Sequence, residues 1–269
     1  MRKRLGYGTA TGDSGLADAE SKANYQAPAL EKGLEILEYL TDRSHPHAMA
    51  EIAKAVGRSR SEIYRMLVVL ERRGYLERAS DDRYQLSNKL FELGMRTPPL
   101  RNLHDVALPL MHRLADTTLQ SCHLVVLSGT DIVAIARVES PDQLGFAVRV
   151  GYRRPVHLST SGRILFAFQS DEARGPLLEA LRAIADPADL KRFLADCDKA
   201  AIEGYFTGAS IYVDAVTDIG APVYGGEEGV VASLVLPFVS GRSARSSLVD
   251  AIPLVRATAA DISHRLTHG

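Results

Sequence analysis

From Pro28 to Tyr84 the apolar spacing of the chain changes in an order that few folds accommodate. Ala29 to Leu40 carries Leu30, Gly33/Leu34, Leu37 and Tyr39/Leu40 at the i, i+3/i+4, i+7 spacing of an amphipathic helix. Polar Thr41 to His47, with Pro46, ends it. A second helix from near Met49 turns Met49, Ile52, Ala53 and Val56 inward, and Gly57 supplies the positive φ that a helix C-terminus prefers. A basic helix follows, SRSEIYRMLVVLERRG from Ser59 to Gly74, with Ile63, Met66, Leu67 and Leu70 inward. GYLERASDDRYQLS then alternates apolar and polar residues on either side of an Asp81-Asp82 turn. Helix, tight turn, helix and β-ribbon is the layout of a winged helix-turn-helix, whose second helix can lie in the DNA major groove against base edges.

The net charge is -1, so DNA affinity has to come from a local basic surface. Between Gly57 and Tyr84, Arg58, Arg60, Arg65, Arg72, Arg73, Arg78 and Arg83 face Glu62, Glu71, Glu77, Asp81 and Asp82, a small basic excess. Arg60, Ser61, Tyr64 and Arg65 occupy the outward first turn and a half of the basic helix. An arginine there makes a bidentate contact to guanine, or a phosphate contact that carries no sequence information, or lies on a solvated face. Tyr64 packs on a sugar or thymine methyl, or is half-buried. Ser59-x-x-Glu62 has capping-box spacing, the preferred reading of Glu62; the alternative is a carboxylate accepting from cytosine N4. Arg58 precedes the helix and Arg78 and Arg83 flank the wing turn, all three as candidate phosphate contacts.

At 269 residues, with 46% apolar and 24% charged residues, two soluble globular domains are expected. Residues 1–27 are Gly/Ala/Ser/Asp-rich and aperiodic, and are read as a disordered arm without a signal-peptide core. Gln85 to Arg96 is an amphipathic linker helix, and Thr97-Pro98-Pro99 is expected to halt it, placing the boundary at residue 99. Leu103 to Leu119 is the next helix, with Val106, Leu110, Met111 and Leu114 inward. CHLVVLS, DIVAIARVE and LGFAVRV read as strands, Ser161 to about Ala201 as helical, and Ile211–Val213, Asp218–Val223 and Val230–Phe238 as further strands. Gly225-Gly226-Glu227-Glu228-Gly229 is a hairpin turn, and the last helix runs from about Ser243 to Leu266. The fold class is therefore α+β: residues 28–84 as the winged helix-turn-helix, 85–99 as the linker, and 100–269 as a domain on an antiparallel sheet.

ALEKGLEILEYL, EIAKAVGRSRSEIYRMLVVLERRGYLE, RYQLSNKLFELG, RVES, VRVG, HLSTSGRILFAF and IGAPV, in this order, resemble the IclR-type bacterial transcriptional regulators. The resemblance covers nearly everything after Pro28. It implies a GAF-like effector-binding domain after the linker, and binding to a palindromic double-stranded operator as a homodimer or homotetramer. It also implies control by a small metabolite (an organic acid, sugar derivative or aromatic compound), repression or activation of a catabolic operon, and no cofactor. Asp218 stands where related chains usually have Cys, in the stretch that lines their ligand pocket.

Ser159, Thr160, Ser161 and Gly162 lie where a strand passes into a helix, so hydroxyls and free N–H groups there form either a carboxylate cradle or an ordinary N-cap. By resemblance, Val216, Asp218, Ser233 and Val235 form the facing wall. Asp218 disfavours an anionic effector and points to a hydroxylated or cationic one; otherwise it faces solvent or pairs with Arg137 or Arg149. No catalytic residue is assigned. Cys122 and His123 are neighbours on a strand and point to opposite faces. His157, Ser159 and Ser161 lack a G-x-S-x-G elbow, and no zinc-ligand spacing or phosphate loop is present. The two cysteines, Cys122 and Cys197, fit a reducing cytoplasm, and no apolar run reaches the roughly 18 residues of a membrane span. The competing readings are a winged helix used for protein contacts and an enzyme fused to a DNA-binding domain.

Overall fold

The structure is a computed structural model that describes residues 27–41, 43–79, 81–96, 98–142, 145–210, 213–226, 229–240 and 247–268. The expected arm lies, except for Ala27, outside the described residues. The chain divides into two compact units, Met1–Gly94 and Met95–Gly269.

In the first unit α1 (Pro28–Thr41), α2 (Met49–Ala55) and α3 (Arg60–Arg72) precede a hairpin of β1 (Leu76–Arg78) and β2 (Tyr84–Leu86), then α4 (Lys89–Met95). Gly57 at φ 64° and Gly74 at φ 78° follow α2 and α3 in the left-handed conformation that releases a helix end. Ile36, Leu40, Ile52, Ala53, Ile63, Leu67, Leu76 and Tyr84 form the core. The hairpin pairs Leu76 with Leu86 and Arg78 with Tyr84, and its turn holds Asp82 at φ 60°. His47 bridges Tyr84 with two backbone hydrogen bonds of 2.8 Å, so the polar stretch after α1 adds a third backbone to the wing. On α1 the expected row is covered only at its far end: Leu40 is buried and Leu37 and Tyr39 pack against the core, while Leu30 and Leu34 are 63% and 49% exposed and Ile36, outside the row, is buried. The spacing shows an apolar side of the helix; the position of α2 and α3 decides how much of it is covered.

The second unit opens with α5 (Pro98–Thr118). α4 ends at Met95, before the diproline, and Pro98-Pro99 also begins α5, because proline suits a first turn where its missing N–H would have had no intrahelical partner. Six strands form one antiparallel sheet: β3 (Cys122–Ser128), β4 (Asp131–Val138), β5 (Arg153–Pro155), β6 (Phe206–Ala209), β7 (Val216–Tyr224) and β8 (Val230–Val239), in the order β5-β4-β3-β8-β7-β6. Between β5 and β6 come α6 (Thr160–Ala167), α7 (Asp171–Ile184) and α8 (Pro187–Glu203), and α9 (Leu248–His268) closes the chain. Leu110, Met111 and Leu114 of α5 and Val255 and Ile262 of α9 pack with Leu124, Ile219 and Leu234 on one face of the sheet. Leu165 of α6, Leu181 of α7 and Phe193 of α8 pack with Val125, Ile132 and Val235 on the other.

The described part of LGFAVRV is not a strand: residues 145–149 are irregular, and Leu144 lies outside the described residues. The edge of β4 is already occupied, by Arg153–Pro155 opposite Asp131–Val133 and by Gly151 and Tyr152, which exchange hydrogen bonds of 2.8 and 3.0 Å with Ala134. Phe146, Ala147 and Val148 are instead half-buried along a cavity. Of the strand expected at Ile211–Val213, Ile211 and Tyr212 lie outside the described residues and Val213 is outside any strand; β6, just after Gly204 (φ 77°) ends α8, was not expected. The expected start of the last helix at Ser243, and Glu227-Glu228 of the hairpin turn, also lie outside them.

Candidate functional site

The leading end of α3 is organised by Ser59 and Glu62. The Ser59 hydroxyl accepts from the Glu62 N–H at 3.4 Å, and Glu62 Oε2 accepts from the Ser59 N–H at 3.1 Å and from its hydroxyl at 2.7 Å. Lys32 Nζ donates to Glu62 Oε1 at 2.6 Å, a tie from α1 that spacing along the chain does not reveal. The Lys32 and Ser59 hydrogen bonds hold the Glu62 carboxyl down at about 2. A depressed carboxyl gives stability that is complete above its ordinary value of 4.5 and is lost as pH falls toward 2. Glu62→Gln should therefore melt lower than wild type at pH 7 and flatten the acid side of the curve below pH 4.5, with operator preference unchanged. A shifted operator preference would return Glu62 to base reading.

The basic side chains sort into two groups. Arg58 is clamped by Glu35 (2.9 and 3.2 Å); Arg78 pairs with Glu71 and Asp82 and donates to Tyr84 at 2.8 Å; Arg83 pairs with Glu51 and Asp81. These three serve the unit's own packing. Among the described residues Arg60 and Arg65 have no carboxylate partner, and both are exposed beside exposed Ser61 and Tyr64. Tyr64 is 53% exposed, and Val68 and Val69 continue outward, an apolar strip that the residue pattern does not single out.

In the second unit a cavity of about 660 Å³ lies between the sheet and the start of α6. Its floor is His123, Val125, Ile132, Ala134, Asp218 and Val235; Phe146, Val148 and Tyr152 cover one side, and Ser159, Thr160 and Ser161 form the opposite wall. Ser159 caps α6 by accepting from the Gly162 N–H at 2.9 Å, which leaves the N–H groups of Thr160 and Ser161 without an intrahelical partner. Arg163, missed in the sequence because it reads as an ordinary helical cation, fixes that cap. Its Nε donates to Asp196 at 2.8 Å and its Nη1 to the Ser159 carbonyl at 2.9 Å, over the rings of Phe193 and Phe206.

Close approach of α6 to the sheet depends on glycine. A Cβ on Gly208 of β6 would stand 2.9 Å from Thr160 Oγ1, and one on Gly162 would stand 2.0 Å from the carbonyl oxygen of Val156, in the turn Val156–Leu158 that precedes α6. Gly162 is thus a packing residue and does not line the cavity. Val216 and Ser233 are sealed in the interior, so Asp218 and Val235 alone of the expected facing wall reach the space. Burial pushes the Asp218 carboxyl up to about 6, with Arg154 pulling the other way, and holds His123 down at about 4, as a neutral imidazole near pH 7.

Cys122 and His123 do point to opposite faces. The Cys122 thiol meets the Met111 carbonyl at 3.5 Å and is pushed up to about 12 by burial, while His123 faces the cavity. Among the described residues no cluster of His, Cys, Asp and Glu could hold a metal, and no helix is long and apolar enough to cross a membrane. A second cleft of about 810 Å³, lined by Leu103, Val126, Ile135 and Leu266, holds one charged side chain, Arg153, which Asp131 binds at 3.1 Å.

Residues 29–80 match the family model of the IclR helix-turn-helix domain, and residues 100–264 that of the bacterial transcriptional regulator IclR C-terminal domain. The chain is 26% identical over 253 residues to the HTH-type transcriptional repressor AllR of Salmonella typhi, and as identical to AllR of Escherichia coli K12, covering 92% of this chain and 93% of each relative. Its fold is similar to that of an IclR homolog complexed with 4-hydroxybenzoate from Microbacterium hydrocarbonoxydans (TM-score 0.75, 23% identity, 88% of this chain and 98% of that one). It is also similar to the Thermotoga maritima IclR (TM-score 0.65, 24% identity, 89% and 98%). The relatives named are regulators of transcription rather than enzymes.

Proposed function

The chain belongs to the IclR family of bacterial transcriptional regulators, and from that premise we propose that α3 reads a palindromic operator in a dimer or tetramer whose hold on DNA is set by a small molecule in the α6 cavity. The observation that carries the DNA half is the pair of unpartnered arginines, Arg60 and Arg65, on the exposed face of α3. The curated relatives are named repressors, which supports repression of a neighbouring catabolic operon, relieved by ligand. The 4-hydroxybenzoate held by one structural relative supports a small organic occupant for the cavity. A gel shift of the full chain on the intergenic DNA upstream of its own gene tests this reading. A discrete shift resistant to excess random DNA is expected, and binding no tighter than to random DNA would favour a winged helix used for protein contacts.

The ligand can act only by binding one arrangement of the molecule better than another. In our reading the stretch between α4 and α5 transmits that preference to the winged helices. Inserting Gly-Ser-Gly after Arg96 should then leave operator affinity within a few-fold of wild type and abolish its change on adding ligand. An intact ligand response would rule out the relay.

A further inference from the structure

The cavity under α6 is polar at defined points and apolar between them. Asp218, on β7, faces Gly208 of β6 in register, and a Cβ on Gly208 would come within 2.9 Å of Thr160 Oγ1. The Asp218 carboxylate therefore stands next to the start of α6, in the place where an incoming anion would otherwise be cradled. Among the described residues it accepts no hydrogen bond. His123, two strands away across Val235, is 7% exposed, and its Nδ1 has no hydrogen-bond partner. A buried polar atom left unpaired is costly, and His123 Nδ1 borders the same space as the half-buried Asp218 carboxylate. Val125, Ile132, Val235 and Phe206 supply the apolar surface around them, and Arg149, Arg154, Arg163 and Arg192 outnumber Asp196 and Asp218 on the walls.

Resting on the reading of this cavity as the effector site, we infer that Asp218 makes it select an apolar carboxylic acid that also carries a hydroxyl or amino group. The O–H or N–H donates to Asp218 beneath α6, the carboxylate lies toward the arginines, and the apolar body covers the floor as far as His123. A second carboxylate at the donor's position would face Asp218 and be repelled. The same burial makes Asp218 a stability cost in the empty protein. Its carboxyl is raised from the ordinary 3.8 to about 6, so stability falls as pH rises through that window and stays lower above it. His123, Arg149, Tyr152, Arg154, Arg163, Arg192 and Asp196 are the other charged or titratable groups on the cavity wall, and Arg154 opposes the shift without abolishing it.

Calorimetric titration of the full-length protein with benzoate, 4-hydroxybenzoate, 4-aminobenzoate and benzene-1,4-dicarboxylate tests the assignment. The hydroxy and amino acids should bind about tenfold tighter than benzoate, the gain of one well-placed hydrogen bond. The dicarboxylate should bind most weakly. In Asp218→Asn the dicarboxylate should gain about tenfold and the advantage of the donors should shrink. The variant should melt higher than wild type at pH 7.5 and level with it at pH 4, which shows that it is folded. Dicarboxylate binding to wild type as tightly as 4-hydroxybenzoate, an unchanged order in Asp218→Asn, or no binding by any of the four would each overturn the inference. Operator binding measured on the same samples keeps this separate from the regulator reading, which falls only if the wild type ignores its upstream DNA.

Discussion

Replacing Arg60 and Arg65 together with alanine is expected to weaken operator binding by roughly 10²–10³-fold, because each guanine or phosphate contact contributes about 1–3 kcal/mol. The salt dependence separates the two kinds of contact. For phosphate contacts the slope of log affinity against log salt should fall by about 0.9 per arginine. For base contacts the slope should change little while discrimination between operator and random DNA collapses. The unit should still melt as wild type, since both side chains are exposed and unpaired among the described residues. Arg58, Arg78 and Arg83 form the contrast: each is already held by a carboxylate of its own unit. Their removal should lower stability and disturb operator affinity less than the Arg60/Arg65 pair does.

Gly162→Ala is expected to destabilise the second unit by about 3 kcal/mol or more. Two effects oppose each other here. Alanine in a helix is worth up to about 1 kcal/mol over glycine. The added Cβ, however, would lie 2.0 Å from the Val156 oxygen and 2.7 Å from Ser159 Oγ, and the first of these atoms is backbone that cannot rotate away. The clash wins, and its relief has to move the start of α6, which forms one wall of the cavity, away from the turn at Val156. Calorimetry should show the transition of the second unit falling by roughly 10 °C at 2–4 °C per kcal/mol, with ligand binding lost. Gly33→Ala, mid-helix in α1 with nothing within 4 Å of the added carbon, should instead stabilise the first unit by about 1 kcal/mol. An unchanged or raised melting temperature in Gly162→Ala would show that the approach of α6 is not tight.

What could be read from the residues depended on whether the deciding neighbour was near in the chain. The cap of α3 is local, so Ser59 and Glu62 reveal it; Lys32, thirty positions away, completes it and leaves no trace in the spacing. The strands β3, β4 and β8 are long and apolar-rich, and they are legible. LGFAVRV alternates, yet a strand also needs a free edge, and β5 with Gly151 and Tyr152 has taken that edge. Leu30 and Leu34 share the helical spacing of buried Leu40, and only tertiary position distinguishes them. Pro98-Pro99 is ambiguous because proline both stops helices and opens them.

The cavity was legible in its hydroxyl wall and in Asp218, each next to a clear strand-to-helix or strand signal. Arg163 and His123 were not, because their roles come from residues far along the chain: Asp196 and the Ser159 carbonyl for the arginine, and an enclosing sheet for the histidine. Val216 and Ser233 show the converse error. They belong to the correct strands, but they are sealed in the interior and do not reach the space.

Hydroxyl-radical footprinting on the intergenic DNA upstream of this gene, comparing wild type with the Arg60→Ala/Arg65→Ala variant, tests the central claim most directly. The account predicts two protected half-sites about one helical turn apart on one face of the duplex, both erased in the variant at concentrations that saturate wild type. Protection that persists unchanged without the two arginines, or a wild type that protects nothing, would contradict it.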